Sequence, residues 1–449
     1  MQLNNIKCPE KSTKHKNSIK GKLTVATCAL LQVTGVAQAK SDDWDVKSAF
    51  LYYAEDGRIN VFEPVVSAKK EINDEEFLSF KVVYDVLSGS TPYGALPSDS
   101  PQTVTNPSGN STYTAAAGEL PLNSTFRDTR VAVNADWTVP LSRLNKVSLG
   151  ANFSNEFDFV SAGVSANYTH DSIDRNTSYN IGVGFNSETW DPVGGKNTEF
   201  DFMIAPLNDP LNISGTAQPK GGTDTKTSTD IILGLTQVIN RSTIMQFNLG
   251  VSTASGYLTD PYRFISVVDG ITGRPADITT LGLTGDELPY IYEKRPDTRT
   301  KNTFFWRTAH HLTEDVINFS YRFYTDDWGI DAHTLDFRYR YEMGGDQYLQ
   351  PHIRYYTQNA ADFYVHSLTA GEALPENASS DYRLGEFVTT TIGLKYGMKL
   401  GEESEFNVRL ELINQSYNTV GTLIGIQNNF DIVPDLDAVV LQMGYNFRW

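Results

Sequence analysis

The densest chemistry in the sequence lies between residues 299 and 357. Read at every second position, its segments put Arg307, His311, Arg322, Tyr324, Asp326, Asp336, Arg338, Arg340, Glu342, Gln350, His352, Arg354 and Tyr356 on one face. Phe304, Trp306, Phe319, Tyr321, Phe323, Leu335, Phe337, Tyr339, Leu349, Ile353 and Tyr355 fall on the other. Period-two segregation of this kind marks strands with one polar and one apolar face. Guanidinium groups beside carboxylates can form a ladder of ion pairs that stiffens the space they face. They can also line a path or a binding site for an anionic or zwitterionic solute, with Arg338, Arg340 and Arg354 as its cationic side. The two readings are compatible, because paired charges also set a transverse field.

Two further places carry chemistry. The turn Asp326-Asp327-Trp328-Gly329-Ile330-Asp331, with His333 just beyond, brings three carboxylates close together. A hard cation such as calcium takes oxygen ligands of this type, and a plain polar turn uses the same residues without an ion. His333 shares the phase of Leu335 and Phe337, which places it outward at a rim. The connection 88–124 holds Pro92, Pro97, Pro101, Pro107 and Pro121 with Gly89, Gly94, Gly109 and Gly118. So many fixed φ angles point to an ordered loop, either a plug folded inward or a surface lid. Asp85 at its base and Arg130 beyond it lie on the inward phase, and with Asp327 and Asp331 they make a candidate rim site. The sequence contains no Walker loop, H-E-x-x-H, G-x-S-x-G or EF-hand loop. Adjacent His310 and His311 point to opposite faces of a strand and cannot chelate one metal. No cofactor is expected, no metal is assigned, and an enzyme is disfavoured.

The elements that must position these groups are strands. Period-two segments fall at 44–53, 59–68, 76–87, 125–138, 147–154, 158–169, 177–187, 227–238, 242–252, 299–312, 316–326, 331–342, 347–357, 385–398, 405–416 and 436–449. The first two are the weakest, because Glu63 and Pro64 interrupt them. Five of the alternate connections are long (88–124, 188–226, 253–298, 358–384, 417–435), three are short (54–58, 155–157, 327–330), and those between them are all short. The pattern predicts an all-β fold: a closed antiparallel transmembrane β-barrel of about sixteen strands, with fourteen as the alternative. Long loops would be extracellular and short turns periplasmic. A charged residue facing lipid near the midplane costs about 2–4 kcal/mol, so the charged face of 299–357 must face the lumen.

The ends of the chain fit that expectation. Residues 1–22 carry six Lys and one acid, Glu10; an apolar run and Ala37-Gln38-Ala39 follow. This reads as a cleaved signal peptide over 1–39, leaving one barrel domain over 40–449. Both cysteines, Cys8 and Cys28, lie in the leader, so the mature chain would have no disulfide. Losing six Lys and one Glu would take the net charge from −17 to −22, which disfavours a nucleic-acid partner. At the other end Val439, Leu441, Met443, Tyr445, Phe447 and Trp449 alternate with mostly polar residues. They are expected to form a lipid-facing closing strand read by the barrel assembly machinery. Tyr84, Trp137, Tyr168, Trp306, Tyr396 and Trp449 are expected at the membrane interfaces, against outer-membrane lipids.

Two stretches carry a family resemblance. YDVLSGSTPYGALPSDSPQTVTNPSG (84–109) is followed by AGELPLNSTFRDTRVAV (117–133), and YRFYTDDWGIDAHTLDFRYR (321–340) by QPHIRYYTQNAADFY (350–364). Together they resemble the DUF3570 family of proteobacterial proteins over nearly the whole mature chain. The resemblance implies an outer-membrane barrel of unestablished function in a Gram-negative bacterium. It also implies a context of small lipoproteins and periplasmic redox proteins as partners. The leading expectation is a channel or transport protein for a small polar solute. The alternative is a plugged barrel serving as scaffold or export partner for such a redox system.

Overall fold

The computed structural model describes residues 44–105, 112–192, 195–207, 210, 212–215, 217–277, 282, 286–418 and 421–448. The expected leader and Trp449, with its interface and assembly roles, lie outside the described residues. The strands are β1 (Trp44–Glu55), β2 (Ile59–Asn73), β3 (Glu76–Pro92), β4 (Gln102–Thr105), β5 (Thr112–Ala115), β6 (Leu122–Ser142), β7 (Asn145–Asn155), β8 (Phe159–Asp171), β9 (Thr177–Trp190), β10 (Phe202–Ile204) and β11 (Asp224–Asn240). They continue with β12 (Thr243–Gly256), β13 (Phe264–Val268), β14 (Glu287–Tyr292), β15 (Thr298–His311), β16 (Val316–Asp326), β17 (Asp331–Gly344), β18 (Gln347–Gln358), β19 (Ser367–Thr369), β20 (Glu386–Lys399), β21 (Ser404–Asn418) and β22 (Leu436–Arg448).

Sixteen of these close into one antiparallel barrel, and the short strands β4, β5, β10, β13, β14 and β19 belong to its loops. Closure is made by β22 on β1, from Asp45–Arg448 to Glu55–Ala438. Every expected segment carries a barrel strand. The differences are mostly extensions: β2, expected at 59–68, runs Ile59–Asn73, and β6, expected at 125–138, runs Leu122–Ser142. The weak spot at Glu63 and Pro64 is real but local. Pro64 faces Phe50 on β1, while the ladder from β2 to β3 skips from Phe62–Val86 to Val65–Val83. Proline has no N–H to give, and the strand absorbs one gap.

The outward face is the apolar one. Leu149, Phe153, Val164, Ile181, Phe185, Leu233, Leu249, Phe337, Ile353, Leu394, Leu410, Leu412 and Met443 are all exposed. A belt of this kind suits hydrocarbon, not water. In β22, Val439, Met443 and Tyr445 are exposed while Ala438 and Val440 are buried. Leu441 and Phe447 share the outward phase, and the Phe447 ring stacks on Tyr445 at 5.4 Å. Near the short turns the expected interface aromatics hold polar groups: Trp137 Nε1 donates to Glu76 (2.9 Å), Tyr168 Oη to Asn145 (2.6 Å) and Tyr396 Oη to Gln347 (2.9 Å). Tyr84 takes the same outward phase opposite Val131. Trp306 departs from this pattern. It packs between Phe247 and Phe319, and its indole N–H has no partner, so it belongs to the apolar belt.

The long loops are not separate excursions. β10, β14, β13 and β19, from three different loops, form one four-stranded sheet in that order. β13 pairs with β19 in parallel, Ser266 to Ser367. The Pro-rich loop adds the β4–β5 hairpin and buries Tyr93, Ala95 and Val104 against Phe264 and Tyr290. Gly94 makes this approach possible: its φ is +120°, and a Cβ there would strike Phe264 O. The assembly is tied to turns all round the ring. Tyr262 Oη donates to Asp158 of the β7–β8 turn, Asn359 Nδ2 to Gly329 O of the β16–β17 turn (2.7 Å), and Arg58 of the β1–β2 turn lies over the Tyr382 ring. The loops therefore roof the barrel mouth as one body.

The outward face gives a direct test. Leu410→Arg, placed midway along β21, should destabilise the bilayer-inserted barrel by about 2–4 kcal/mol. Reversible guanidinium unfolding from lipid vesicles would measure it. Asn407→Arg, on the inward phase of the same strand, should cost much less.

Candidate functional site

The wall of β15 to β21 is built so that antiparallel partners share a face. Arg307, Ser320, Asp336, Arg354 and Thr391 follow one another across neighbouring strands, all inward. The same register carries Arg322 opposite Thr334, and Arg338 opposite His352. His352 joins three strands to one another. Its Nε2 lies 2.8 Å from Asp336 Oδ2 on β17, and its Nδ1 lies 2.8 Å from Glu411 Oε1 on β21. Gly393 on the intervening β20 leaves room for this, since a Cβ there would crowd Glu411. Both carboxylates are further engaged, Asp336 by Arg338 at 3.1 Å and Glu411 by Arg409 at 3.5 Å.

That arrangement sorts the arginines. Arg340 pairs with Glu342 (2.5 Å) and lies 3.6 Å over the Tyr348 ring, so it is held locally. Arg307 donates to Asn318 at 3.0 Å. Arg322 and Arg354 have no carboxylate within ion-pair distance among the described residues; their nearest rings, Phe305 and Tyr356, lie at 5.7 and 5.9 Å. Of the three arginines expected as the cationic side, only Arg354 is free of a carboxylate. Arg338 and Arg340 belong to the ladder, and Arg322 takes the role that pattern gave to them.

Two cavities meet at these groups. One, of about 520 Å³, is lined by Arg307, Arg322, Arg338, Arg354 and Arg409 with Asp336, His352 and Glu411. The other, of about 780 Å³, lies under the roof and is lined by Lys226, Arg299, Lys301, Tyr324 and Tyr356 from the wall and by Asp260, Arg295, Asp381 and Arg383 from the loops. Arg322, Thr334 and Arg354 line both. A smaller space toward the short turns adds Lys395 beside Arg338 and Arg409. Along the whole route cationic side chains outnumber carboxylates.

The acidic turn does not gather its carboxylates for a cation. Asp326 accepts from Arg299 (2.5 and 2.8 Å), from Tyr324 Oη (2.6 Å) and from the Trp328 and Ile330 amides (3.0 Å each). Asp327 instead accepts from the Thr300 amide, and Asp331 passes its backbone to Asn359. No group of three potential metal ligands exists among the described residues. His333 points outward, its Nδ1 2.8 Å from Tyr321 Oη. Asp85 and Arg130 form an ion pair with each other on the far wall, away from the turn.

The roof holds a buried charge network that sequence reasoning missed. Asp381, 1% exposed, accepts from Arg383 Nε (2.9 and 3.0 Å), Nη2 (2.6 Å) and backbone amide (3.1 Å), and from Arg295 Nη2 (2.9 Å). Arg383 also donates to Asp260 at 3.1 Å, and Arg263 bridges Asp260 and Asp381 at 3.5 and 3.8 Å. Arg295 Nε lies 2.6 Å from Glu293 Oε1, close but not aligned as a hydrogen bond. Arg263 also donates to Pro92 O, which ties in the Pro-rich loop. Burial alone would raise the Asp381 pKa, but Arg263, Arg383 and Arg295 together hold it well below the usual carboxylate range. Asp260 is lowered against burial by the same three. Burial, with Asp260 and Asp381 nearby, pushes Glu293 up despite Arg295. The signal that could have revealed the roof was FISVV and ELPYIY, apolar runs inside a loop of otherwise polar residues.

A closed barrel with an apolar outer belt, a polar lumen and roofed loops defines an outer-membrane β-barrel protein. Residues 20–447 match the family described as "Protein of unknown function (DUF3570)", and the chain belongs to that family. No curated protein matches it. Among solved structures it is similar to OccK3 (OpdO) of Pseudomonas aeruginosa, at 10% identity over 91% of this chain and 96% of that one, with a TM-score of 0.39. It is also similar to the toluene transporter TodX of P. putida (8%, 92% and 91%, 0.37) and to a loop-deleted OmpT of Vibrio cholerae (9%, 91% and 98%, 0.38).

The network predicts how the roof responds to substitution and to acid. Asp381→Asn leaves the buried Arg295 guanidinium without this partner and frees the exposed Arg383, a loss of about 3–5 kcal/mol. The roof should become protease-sensitive at neutral pH while the barrel keeps its resistance to SDS. Because Asp381 and Asp260 are lowered in the fold, their contribution is complete above the unfolded carboxylate value of about 4 and is lost as pH falls through their folded values. Glu293, raised, acts in the opposite sense. Pepsin should therefore begin to cut the wild-type roof only below about pH 4.

Proposed function

We propose that the protein is a channel of the Gram-negative outer membrane that passes small anionic solutes, with the long loops outside and the short turns in the periplasm. One observation carries the reading: Arg322 and Arg354, unpaired with any carboxylate among the described residues, stand where two lumenal cavities meet. A guanidinium in a wet lumen attracts an anion at about 4 Å by about 1 kcal/mol, strong enough to concentrate it and weak enough to release it. The cationic groups to either side make successive weak sites along one wall. The ladder of Asp336, His352, Glu411, Arg338 and Arg409 stiffens that wall and keeps its carboxylates from the path.

Planar-bilayer recording under a salt gradient tests this. The wild type should conduct and prefer anions. Arg322→Ala and Arg354→Ala should each lower the anion-to-cation permeability ratio, by up to roughly fivefold and less at high salt. The double variant Arg340→Ala with Glu342→Ala should change selectivity little, since it removes a matched pair. A non-conducting wild type, or unchanged selectivity in both alanine variants, would overturn the reading.

A further inference from the structure

Resting on the channel reading, we infer that anions enter from the side of the roof, through a vestibule at its rim, and that Tyr257–Thr259 is the septum between that vestibule and the Arg322–Arg354 chamber. The vestibule is a cavity of about 470 Å³ bounded by residues of the β9–β11 and β12–β15 loops. At its outer end Gly221 and Asp297 are exposed. At its inner end Tyr257 and Thr259 are only 7% and 5% exposed. Tyr257, Leu258, Thr259 and Arg295 also line the 780 Å³ chamber beneath the roof. The two spaces are therefore separated by a single segment of chain.

That segment is pinned at its ends. The Tyr257 amide donates to Thr225 O (2.9 Å), and Thr259 Oγ1 donates to Glu199 (3.0 Å) and accepts from the Arg295 amide (3.1 Å). Leu258 between them is half-buried, against the Trp328 cluster. An axial route would have to part the roof's packed sheet, where Phe264, Ile265, Tyr290 and Ile291 are 2% exposed or less. The lateral route crosses one septum and leaves that core intact. Charge in the vestibule is partly matched, with Glu199, Asp224 and Asp297 set against Lys196 and Arg295, so the thin septum and not the lining charge carries the route. Lys196 stands in the vestibule, paired with Asp224 and 5.0 Å over the Tyr257 ring, and Arg295 reaches both spaces.

A cysteine placed at the vestibule mouth tests the route, because the chain has no cysteine after Cys28. Gly221→Cys suits this: the position is exposed, and an added Cβ meets only the flexible Lys196 side chain. Labelling it with a bulky anionic thiol reagent should lower single-channel current about twofold or more, with the wild type unaffected. Complete labelling by mass with an unchanged current would overturn the lateral route and leave the channel reading standing. A wild type that does not conduct would remove the channel reading itself, and the route with it. Independently, the double variant Tyr257→Ala with Leu258→Ala should raise conductance, and an unchanged value would show that the septum does not limit passage.

Discussion

Everything in this molecule follows from the absence of water in the hydrocarbon layer. Each backbone N–H and C=O that crosses it must find a partner within the protein, so the sheet has to close. The seam of β1 on β22 completes the ring. Once the backbone is satisfied, inward side chains need not build an apolar core. The wall can then carry Arg322, Arg354 and the His352 ladder without unfolding the chain. The hydrophobic core moves elsewhere: the largest fully buried side chains among the described residues, Tyr290, Phe264, Met203, Ile265 and Ile291, all lie in the roof.

This division explains what the sequence reveals and what it hides. A barrel strand has one face in lipid and one in the lumen, so period two is written plainly along it. Runs such as Leu149, Ala151 and Phe153 against Gly150, Asn152 and Ser154 locate strands to within a few residues. The roof is hidden because its pairings join distant segments. Ser266 meets Ser367, Lys294 meets Ala378, and Asp381 collects arginines from residues 263 and 295. Short strands of three to six residues leave little periodicity to read. The acidic turn misled for a related reason: three carboxylates close in sequence were separated by the partners each one found.

The charged wall was legible as a face but not as a set of free and bound groups. The rule that separates them is local. On a strand, residues two apart share a face, and acid–base neighbours at that spacing pair: Asp336 with Arg338, Arg340 with Glu342, Arg409 with Glu411. Arg322 is flanked at that spacing by Ser320 and Tyr324, and Arg354 by His352 and Tyr356. Neither has a carboxylate two residues away on its own strand, and although Asp336 stands opposite Arg354, its carboxylate is taken by Arg338 and His352. The distinction between ladder and path was thus present in the sequence at a spacing of two.

The same logic reconciles an acidic chain with a cationic lumen. The net charge of −17 is a property of the whole sequence and is screened over about 8–10 Å at physiological salt. A solute inside the barrel responds to the groups within that distance. There, Asp336 and Glu411 of the wall are held by His352, Arg338 and Arg409, Glu188 by Lys226, and Asp260 and Asp381 of the roof by Arg263, Arg295 and Arg383. Carboxylates consumed in this way stiffen the scaffold and withdraw their charge from the path. What remains facing the solute along this route is Arg322, Arg354 and Lys301 against Asp230, a cationic excess, so the ion pairs that hold the wall and roof in place also set the sign of this path.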